Sequence, residues 1–143
     1  WHLYFIDVFK NNGGFDIVIA NPPYVPITKI SMDERKIYTN RFEFATGRFN
    51  LFYFFLEITG KITKCNGISN FIVPDRLLLN TQVSNLRNWI LNDNSIIEII
   101  SFNEVIFKAV VDSIIITFSN NLNKNNEVRV KNNTTINTLN YIS

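Results

Sequence analysis

The chain contains four short runs of apolar residues, and each run has the length of one β-strand. The runs cover residues 15–20, 68–73, 96–102 and 113–118. The first, Phe15 to Ala20, is β-branched at its centre and follows a Gly13-Gly14 pair, which predicts a strand buried on both faces. Pro22 and Pro23 end this run, because proline cannot donate to a strand ladder and disfavours helix at the preceding residue.

Apolar residues at helical spacing appear between these runs. One helix is predicted over residues 50–62, with Asn50 as a suitable N-cap and an Asn66-Gly67 turn after it. A second helix is predicted from residue 81 or 82 to residue 91. Residues 25–46 are polar and charged with a weak helical pattern, so we expect a surface segment beside the Pro-rich turn.

The order of these elements is strand, loop, helix, strand, helix, strand, strand. Alternating strands and helices indicate an α/β fold with a mostly parallel sheet and right-handed crossovers. The last two strands are joined too closely for a helical crossover, so the final strand is predicted to be reversed. This is part of a doubly wound, Rossmann-like sheet. Further short strands are predicted at residues 127–130 and 136–142, after an Asn-rich segment.

The composition indicates one globular domain. Of 143 residues, 46% are hydrophobic and 18% are charged, and the formal net charge of +2 is too small to indicate nucleic-acid binding by itself. No apolar run reaches the ~20 residues of a membrane helix, so we expect no membrane partner. The single cysteine, Cys65, cannot form an internal disulfide or a metal site alone, which fits a reducing cytoplasm and no bound metal.

The tetrapeptide Asn21-Pro22-Pro23-Tyr24 carries the candidate chemistry. It follows a buried strand, where open α/β sheets bind ligands. Asn21 offers a carbonyl acceptor, Pro22 offers a main-chain carbonyl, and Tyr24 offers a flat ring. Two converging acceptors hold both hydrogens of an –NH2 group and favour a pyramidal nitrogen, whose lone pair then attacks a methyl group. This chemistry needs no strong base.

Asn-Pro-Pro-Tyr after a hydrophobic strand resembles the catalytic signature of amino methyltransferases that use S-adenosylmethionine. The signature is shared by N6-adenine DNA enzymes, some RNA enzymes and release-factor glutamine methyltransferases. The resemblance to γ-class N6-adenine DNA methyltransferases, including those of type IIG restriction–modification enzymes, covers roughly residues 13–119. Its further motifs recur in the same order at residues 50–57, 67, 71–74, 86–87, 103–107 and 109–111.

The resemblance implies a role for each matching residue. Asn21 and Pro22 bind the adenine amino group within the catalytic tetrapeptide that Pro23 completes, and Tyr24 stacks on a base flipped out of double-stranded DNA. Phe107 matches a second aromatic residue that closes on the base. Phe55 matches an aromatic residue that borders the adenine of S-adenosylmethionine, and Asn21 is a further candidate for contact with this cofactor.

The chain also departs from that pattern, because no Gly-x-Gly cofactor loop occurs in it. It begins with Trp1 rather than methionine, so we expect a piece of a longer protein that is inactive alone. Residues 1–119 are then the catalytic half of a methyltransferase domain that lacks its cofactor-loop half. Residues 120–143 begin a C-terminal extension towards a target-recognition domain.

Two alternative functions and a few weaker site candidates stay open at this point. The alternatives are a release-factor glutamine N5-methyltransferase and a non-catalytic remnant. The weaker candidates are His2, Cys65, Asp75 and Arg76, for which a structural or incidental role is favoured.

Overall fold

The computed structural model describes residues 3–102, 112–123, 125–132 and 135–140. Within these ranges the chain forms one six-stranded sheet with helices against it. The helices are α1 (Ile6–Asn12), α2 (Met32–Arg41), α3 (Phe52–Ile62), α4 (Arg76–Leu79) and α5 (Ser84–Asp93). The strands are β1 (Phe15–Ala20), β2 (Thr63–Pro74), β3 (Ser95–Ser101), β4 (Ser113–Ser119), β5 (Glu127–Asn132) and β6 (Thr135–Asn140).

The sheet has the strand order β1-β2-β4-β3-β5-β6. β1 runs parallel to β2, and β3 runs parallel to β5. β4 runs antiparallel to both of its neighbours, β2 and β3, and β6 runs antiparallel to β5. Four of the six strands, β1, β2, β3 and β5, therefore run in one direction, and β4 and β6 run in the other. The prediction of a mostly parallel α/β sheet with a reversed strand after β3 is confirmed. β5 continues the same sheet, while the division of the chain at residue 119 stays a prediction.

The core lies on the face of the sheet that α3 and α5 cover. Ile114, Ile116 and Phe118 of β4 point to this face and are buried, whereas Ile115 and Thr117 on the other face are half-buried. The Trp89 ring of α5 meets Phe118 edge-on, with ring centroids 6.2 Å apart. Trp89 also lies directly over Gly60 of α3, which brings the two helices together above the sheet.

β1 has the predicted bounds but not the predicted burial. Val18 and Ala20 pack against the core, whereas Ile17 and Ile19 on the opposite face are 62% and 75% exposed. β1 lies at the edge of the sheet and pairs only with β2 among the residues that the structure describes. The prediction of burial on both faces is therefore wrong for the described residues, because Ile17 and Ile19 are exposed on one face.

β2 begins earlier than the sequence predicts. It starts at Thr63 directly after α3, rather than at Ile68, and the predicted Asn66-Gly67 turn lies inside it. Asn66 has a φ of 62°, and the register with β1 shifts from Phe15↔Thr63 to Ile17↔Ile68. The Asn120 side chain donates to the Thr63 carbonyl at 2.7 Å. The turn is therefore a bulge that stays in the strand because the side chain and backbone of Asn120 satisfy its backbone groups.

Gly14 lets β1 approach this bulge. A β-carbon on Gly14 would lie 2.6 Å from the carbonyl oxygen of Ile62 and 2.8 Å from the amide nitrogen of Lys64. Its φ of 145° is also in a region that other residues rarely adopt. The first residue pairs of β1 and β2 therefore depend on a glycine at this position.

The polar segment after the tetrapeptide contains a helix, α2, none of whose residues is buried. The Ser31 hydroxyl accepts from the Glu34 amide at 3.3 Å, and the Glu34 carboxylate accepts from the Ser31 amide at 3.1 Å. These hydrogen bonds from Ser31 lower the pKa of the Glu34 carboxyl group. This capping box starts the helix, and the Ser-x-x-Glu spacing was the signal for it in the sequence.

The two predicted helices are also shifted slightly. α3 begins at Phe52 with Leu51 at the cap position, although the Asn50 side chain still accepts from the Phe52 amide at 3.5 Å. α5 begins at Ser84 after a 3₁₀ turn at Thr81–Val83. Among the residues described, the helices are all too short or too polar to span a lipid bilayer.

Candidate substrate site

The tetrapeptide lies immediately after β1, at the carboxyl end of the strand. Pro22 is buried, whereas Asn21 and Pro23 are exposed. The Asn21 side chain makes no hydrogen bond to any residue that the structure describes. Pro22 thus anchors the turn in the protein, and no described residue occupies the carbonyl and amide groups of the Asn21 side chain.

Backbone hydrogen bonds hold the segment after the tetrapeptide. The Ile27 amide donates to the Phe49 carbonyl, and the Leu51 amide donates to the Val25 carbonyl, each at 3.0 Å. These bonds form a short bridge between Pro26 and Asn50. The turn therefore joins the start of α3, and its path is fixed at both ends.

Tyr24 follows the two prolines and packs against the first residue of α3. Its ring meets the Phe52 ring edge-on, with centroids 6.1 Å apart. Burial raises the pKa of the Tyr24 hydroxyl above its usual value, and the side chain of Ser113 opposes that shift. The phenol therefore stays neutral at physiological pH, and Tyr24 offers a flat, uncharged surface rather than a base.

A cavity of about 270 Å³ opens beside Tyr24, at the carboxyl ends of β1 and β2. Its aromatic wall is formed by Tyr24, Phe49, Phe52 and Tyr53. Residues after β2 form the opposite side, and they include Arg76 and Asn80. Open α/β sheets bind ligands at this edge. The structure thus places a concave surface where the sequence predicted the substrate.

The structure brings some of the predicted site residues together. Asn21, Pro22, Pro23 and Tyr24 are consecutive at the end of β1, but Tyr24 lines the cavity and Asn21 lies outside its lining. The predicted second aromatic residue, Phe107, lies outside the described residues, as does His2. The role of Phe107 therefore stays a prediction.

Phe55 points away from this cavity. It is 41% exposed on the first turns of α3, although Phe54 and Leu56 on either side of it are buried. α3 packs on β1 and β2. The predicted contact of Phe55 and Asn21 with S-adenosylmethionine stays a prediction.

The weaker candidates separate in the structure. Cys65 is free and exposed in the β2 bulge. The Asp75 amide donates to the Asp112 carbonyl at 3.0 Å, so its backbone has a structural role. Arg76 lines the cavity, and so does Arg48, which the sequence analysis did not single out. Among the described residues, no group of three potential ligands is placed to bind a metal ion.

Comparison with known proteins gives relatives from restriction–modification systems. The chain is 26% identical over 119 residues to a type II restriction enzyme and methyltransferase, RM.Eco57I, of Escherichia coli. It is 29% identical over 110 residues to the type II methyltransferase M.BanIII of Aneurinibacillus aneurinilyticus. These matches cover 80% and 76% of this chain but only 12% and 19% of the relatives. The chain thus corresponds to a small part of each relative.

Solved structures share the fold. A putative class I S-adenosylmethionine-dependent methyltransferase from Listeria monocytogenes superposes with a TM-score of 0.66 at 22% identity, over 85% of this chain and 38% of that one. The type IIG restriction endonuclease BpuSI superposes with a TM-score of 0.60 at 16% identity, over 80% of this chain and 15% of that one. The predicted fold class, part of a class I S-adenosylmethionine-dependent methyltransferase fold, is confirmed.

The sequence model of one protein family matches most of the chain. It is described as the Eco57I restriction-modification methylase, and the match covers residues 1–107. This range includes β1, the tetrapeptide and the cavity beside Tyr24. The chain belongs to the Eco57I restriction-modification methylase family.

Proposed function

We propose that this chain carries the target-amine site of an enzyme that methylates the N6 amino group of adenine in double-stranded DNA. The enzyme is then a γ-class methyltransferase of a cytoplasmic restriction–modification or phage-defence system. The observation that carries the proposal is the exposed Asn21 side chain, which has no partner among the described residues. It lies on a turn that is fixed by Pro22 and by the backbone bridge between Pro26 and Asn50. Family membership supports DNA as the substrate.

The residues act as acceptors and as a stacking surface in this proposal. The Asn21 side-chain oxygen and the Pro22 carbonyl accept the two N6 hydrogens, and the nitrogen lone pair becomes available for attack. Tyr24 stacks on the base, which has to leave the duplex because N6 is not accessible inside the stack. S-adenosylmethionine, when bound, would supply the electrophilic methyl group and leave as a neutral thioether when its sulfur–methyl bond breaks, and the methylated nitrogen would then release one of its hydrogens as a proton to water.

The cofactor site needs more than this chain provides. Phe55 and Asn21 fit the adenine and the reacting end of S-adenosylmethionine, but no Gly-x-Gly turn is present in the 143 residues. We therefore propose that a longer protein completes the site with a cofactor-binding half, and that the 143-residue chain alone does not transfer methyl groups. A target-recognition domain after residue 119 would select the DNA sequence.

The test is a methyl-transfer assay on the full-length protein that contains this chain, with labelled S-adenosylmethionine and duplex DNA. Asn21→Ala should reduce transfer by roughly 100-fold or more, because a preorganised group acting in the transition state is lost. The matched control is Asn85→Ala, an exposed asparagine on α5, which should transfer at the wild-type rate. Cofactor binding should persist in both variants.

Three results would overturn the proposal. Asn21→Ala with wild-type transfer to DNA would remove Asn21 from its assigned role. Transfer by the wild-type protein to a glutamine of release factor, with none to DNA, would favour the alternative enzyme that shares the tetrapeptide. A wild-type protein that transfers no methyl group to either substrate would favour a non-catalytic remnant.

A further inference from the structure

We propose that Arg48 and Arg76 bind a DNA backbone phosphate next to the target nucleotide, in the cavity beside Tyr24. The inference rests on the proposed function and names two positioning residues for the same site. Both side chains are exposed, and both line the cavity of about 270 Å³. They come from separate parts of the chain, one before α3 and one after β2, and meet at one concave surface.

Among the described residues, those that line the cavity carry two positive charges and no negative charge. The polar residues of the lining are the two arginines with Tyr24, Tyr53, Asn50, Asn80 and Gln82. Neither Arg48 nor Arg76 has an ion pair or a side-chain hydrogen bond with a described residue. An anion would therefore find donors that no protein group competes for.

Other arginines of the chain are engaged in the fold. Arg35 donates to the Ile30 carbonyl at 2.9 Å. Arg87 donates to the carbonyls of Leu77 and Asn80 at 3.0 and 3.1 Å. Arg129 lies 3.7 Å from the Glu98 carboxylate. Arg48 and Arg76 differ from these three, because neither guanidinium group forms a hydrogen bond or an ion pair with a described residue.

The backbone holds both arginines in place. Arg48 precedes Phe49, which is almost fully buried and accepts a hydrogen bond from the Ile27 amide. Arg76 follows Asp75, whose amide donates to the Asp112 carbonyl just before β4. Two fixed attachment points reduce the cost of ordering the side chains around a ligand.

The lining of the cavity suits a phosphate of a nucleic acid. The aromatic wall beside the cations suits the sugar and base next to a phosphate. Guanidinium groups also match phosphate oxygens in a bidentate geometry. The cavity is thus suited to one phosphodiester that flanks a flipped base at Tyr24.

The experiment measures DNA binding by the full-length protein over a series of salt concentrations. Each lost phosphate contact lowers the slope of log affinity against log salt by about 0.9. The double variant Arg48→Gln with Arg76→Gln should therefore bind the target duplex more weakly and with a slope reduced by about 0.9, because both arginines contact the same phosphate. The matched control is Arg129→Gln, since Arg129 lies on β5, three strands from β2, and should leave the slope unchanged.

A second measurement replaces single phosphates in the DNA with neutral methylphosphonates. Wild-type protein should lose affinity when a phosphate beside the target adenine is neutralised, and the double variant should lose little more at that position. Unchanged affinity of the wild-type protein at every phosphate flanking the adenine would overturn the inference, even if the variant were unstable. An unchanged salt slope in a folded double variant would overturn it as well.

The outcomes also separate this inference from the proposed function. If the double arginine variant kept the wild-type salt slope and methylation still depended on Asn21, only the phosphate site would be overturned. A wild-type protein that neither binds nor methylates DNA would overturn both. If an acidic peptide bound at the cavity and DNA binding depended on neither arginine, the cavity would be a protein-docking site and the inference would be overturned.

Discussion

β1 and β4 have nearly the same sequence pattern but differ in their surroundings. Each has three consecutive β-branched residues, Ile17-Val18-Ile19 in β1 and Ile114-Ile115-Ile116 in β4. In β4 the side chains of Ile114 and Ile116 are 0% and 1% exposed, whereas in β1 those of Ile17 and Ile19 are 62% and 75% exposed.

The difference follows from position in the sheet. β4 lies between β2 and β3, and Ile114 and Ile116 face the core beneath α3 and α5. β1 pairs with β2 alone among the described residues and turns its isoleucines to the uncovered face. A run of apolar residues thus predicts a strand, but its neighbours decide which face is buried. The Asn-Pro-Pro-Tyr turn follows the strand that is less covered among the described residues.

The largest expected effect is on stability, when one isoleucine side chain of each strand is shortened to alanine. In the 143-residue chain, Ile116→Ala should lower the free energy of unfolding by about 2–5 kcal/mol, because it leaves a cavity in a packed core. Ile19→Ala should change it by less than about 0.5 kcal/mol, because the side chain is already in water. Urea denaturation followed by circular dichroism measures both. Equal losses would show that the uncovered face of β1 contributes to stability as much as the core does.

The entry to β1 provides a second test of the edge strand. Gly14→Ala should be the more damaging of two neighbouring substitutions, because its β-carbon would meet backbone atoms of Ile62 and Lys64. Gly13→Ala has open space around it and should cost only the strain of its positive φ, about 1–2 kcal/mol. Thermal unfolding of both variants gives the comparison. Equal melting temperatures would contradict the close contact of β1 with β2.

The smallest expected effect concerns the Tyr24 ring in the turn that follows β1. Tyr24→Ala in the full-length protein should weaken binding of target DNA by about 1–3 kcal/mol, since stacking on the flipped base is lost. Tyr24→Phe keeps the ring and should bind like wild type. DNA with an abasic target site should bind both variants equally, because it has no base to stack. Loss of binding to abasic DNA by Tyr24→Ala would attribute the effect to folding instead.

The sequence predicted the parts of the fold that depend on local pattern and chain length. The bounds of β1 were correct, and the short connection after β3 correctly predicted that β4 runs antiparallel. The Pro-rich turn also lies at the carboxyl end of a strand, as predicted. These features follow from residue types and from connection length alone.

The features that the sequence did not predict depend on partners far along the chain. The Asn66-Gly67 pair resembled a turn between elements, but Asn120 holds it as a bulge in β2. Arg48 did not stand out in the sequence, because its significance comes from sharing a cavity with Arg76. Such contacts between distant residues have no signature in the local pattern.

The central claim is that Asn21, Pro22 and Tyr24 present an adenine amino group for methylation. The most direct measurement is the chemical identity of the methylated product. Duplex DNA is incubated with the full-length protein and labelled S-adenosylmethionine, digested to nucleosides and analysed by mass spectrometry. The proposed mechanism predicts that the label appears in N6-methyladenine and that Asn21→Ala abolishes it. Label in a methylated cytosine, or only in protein, would contradict it.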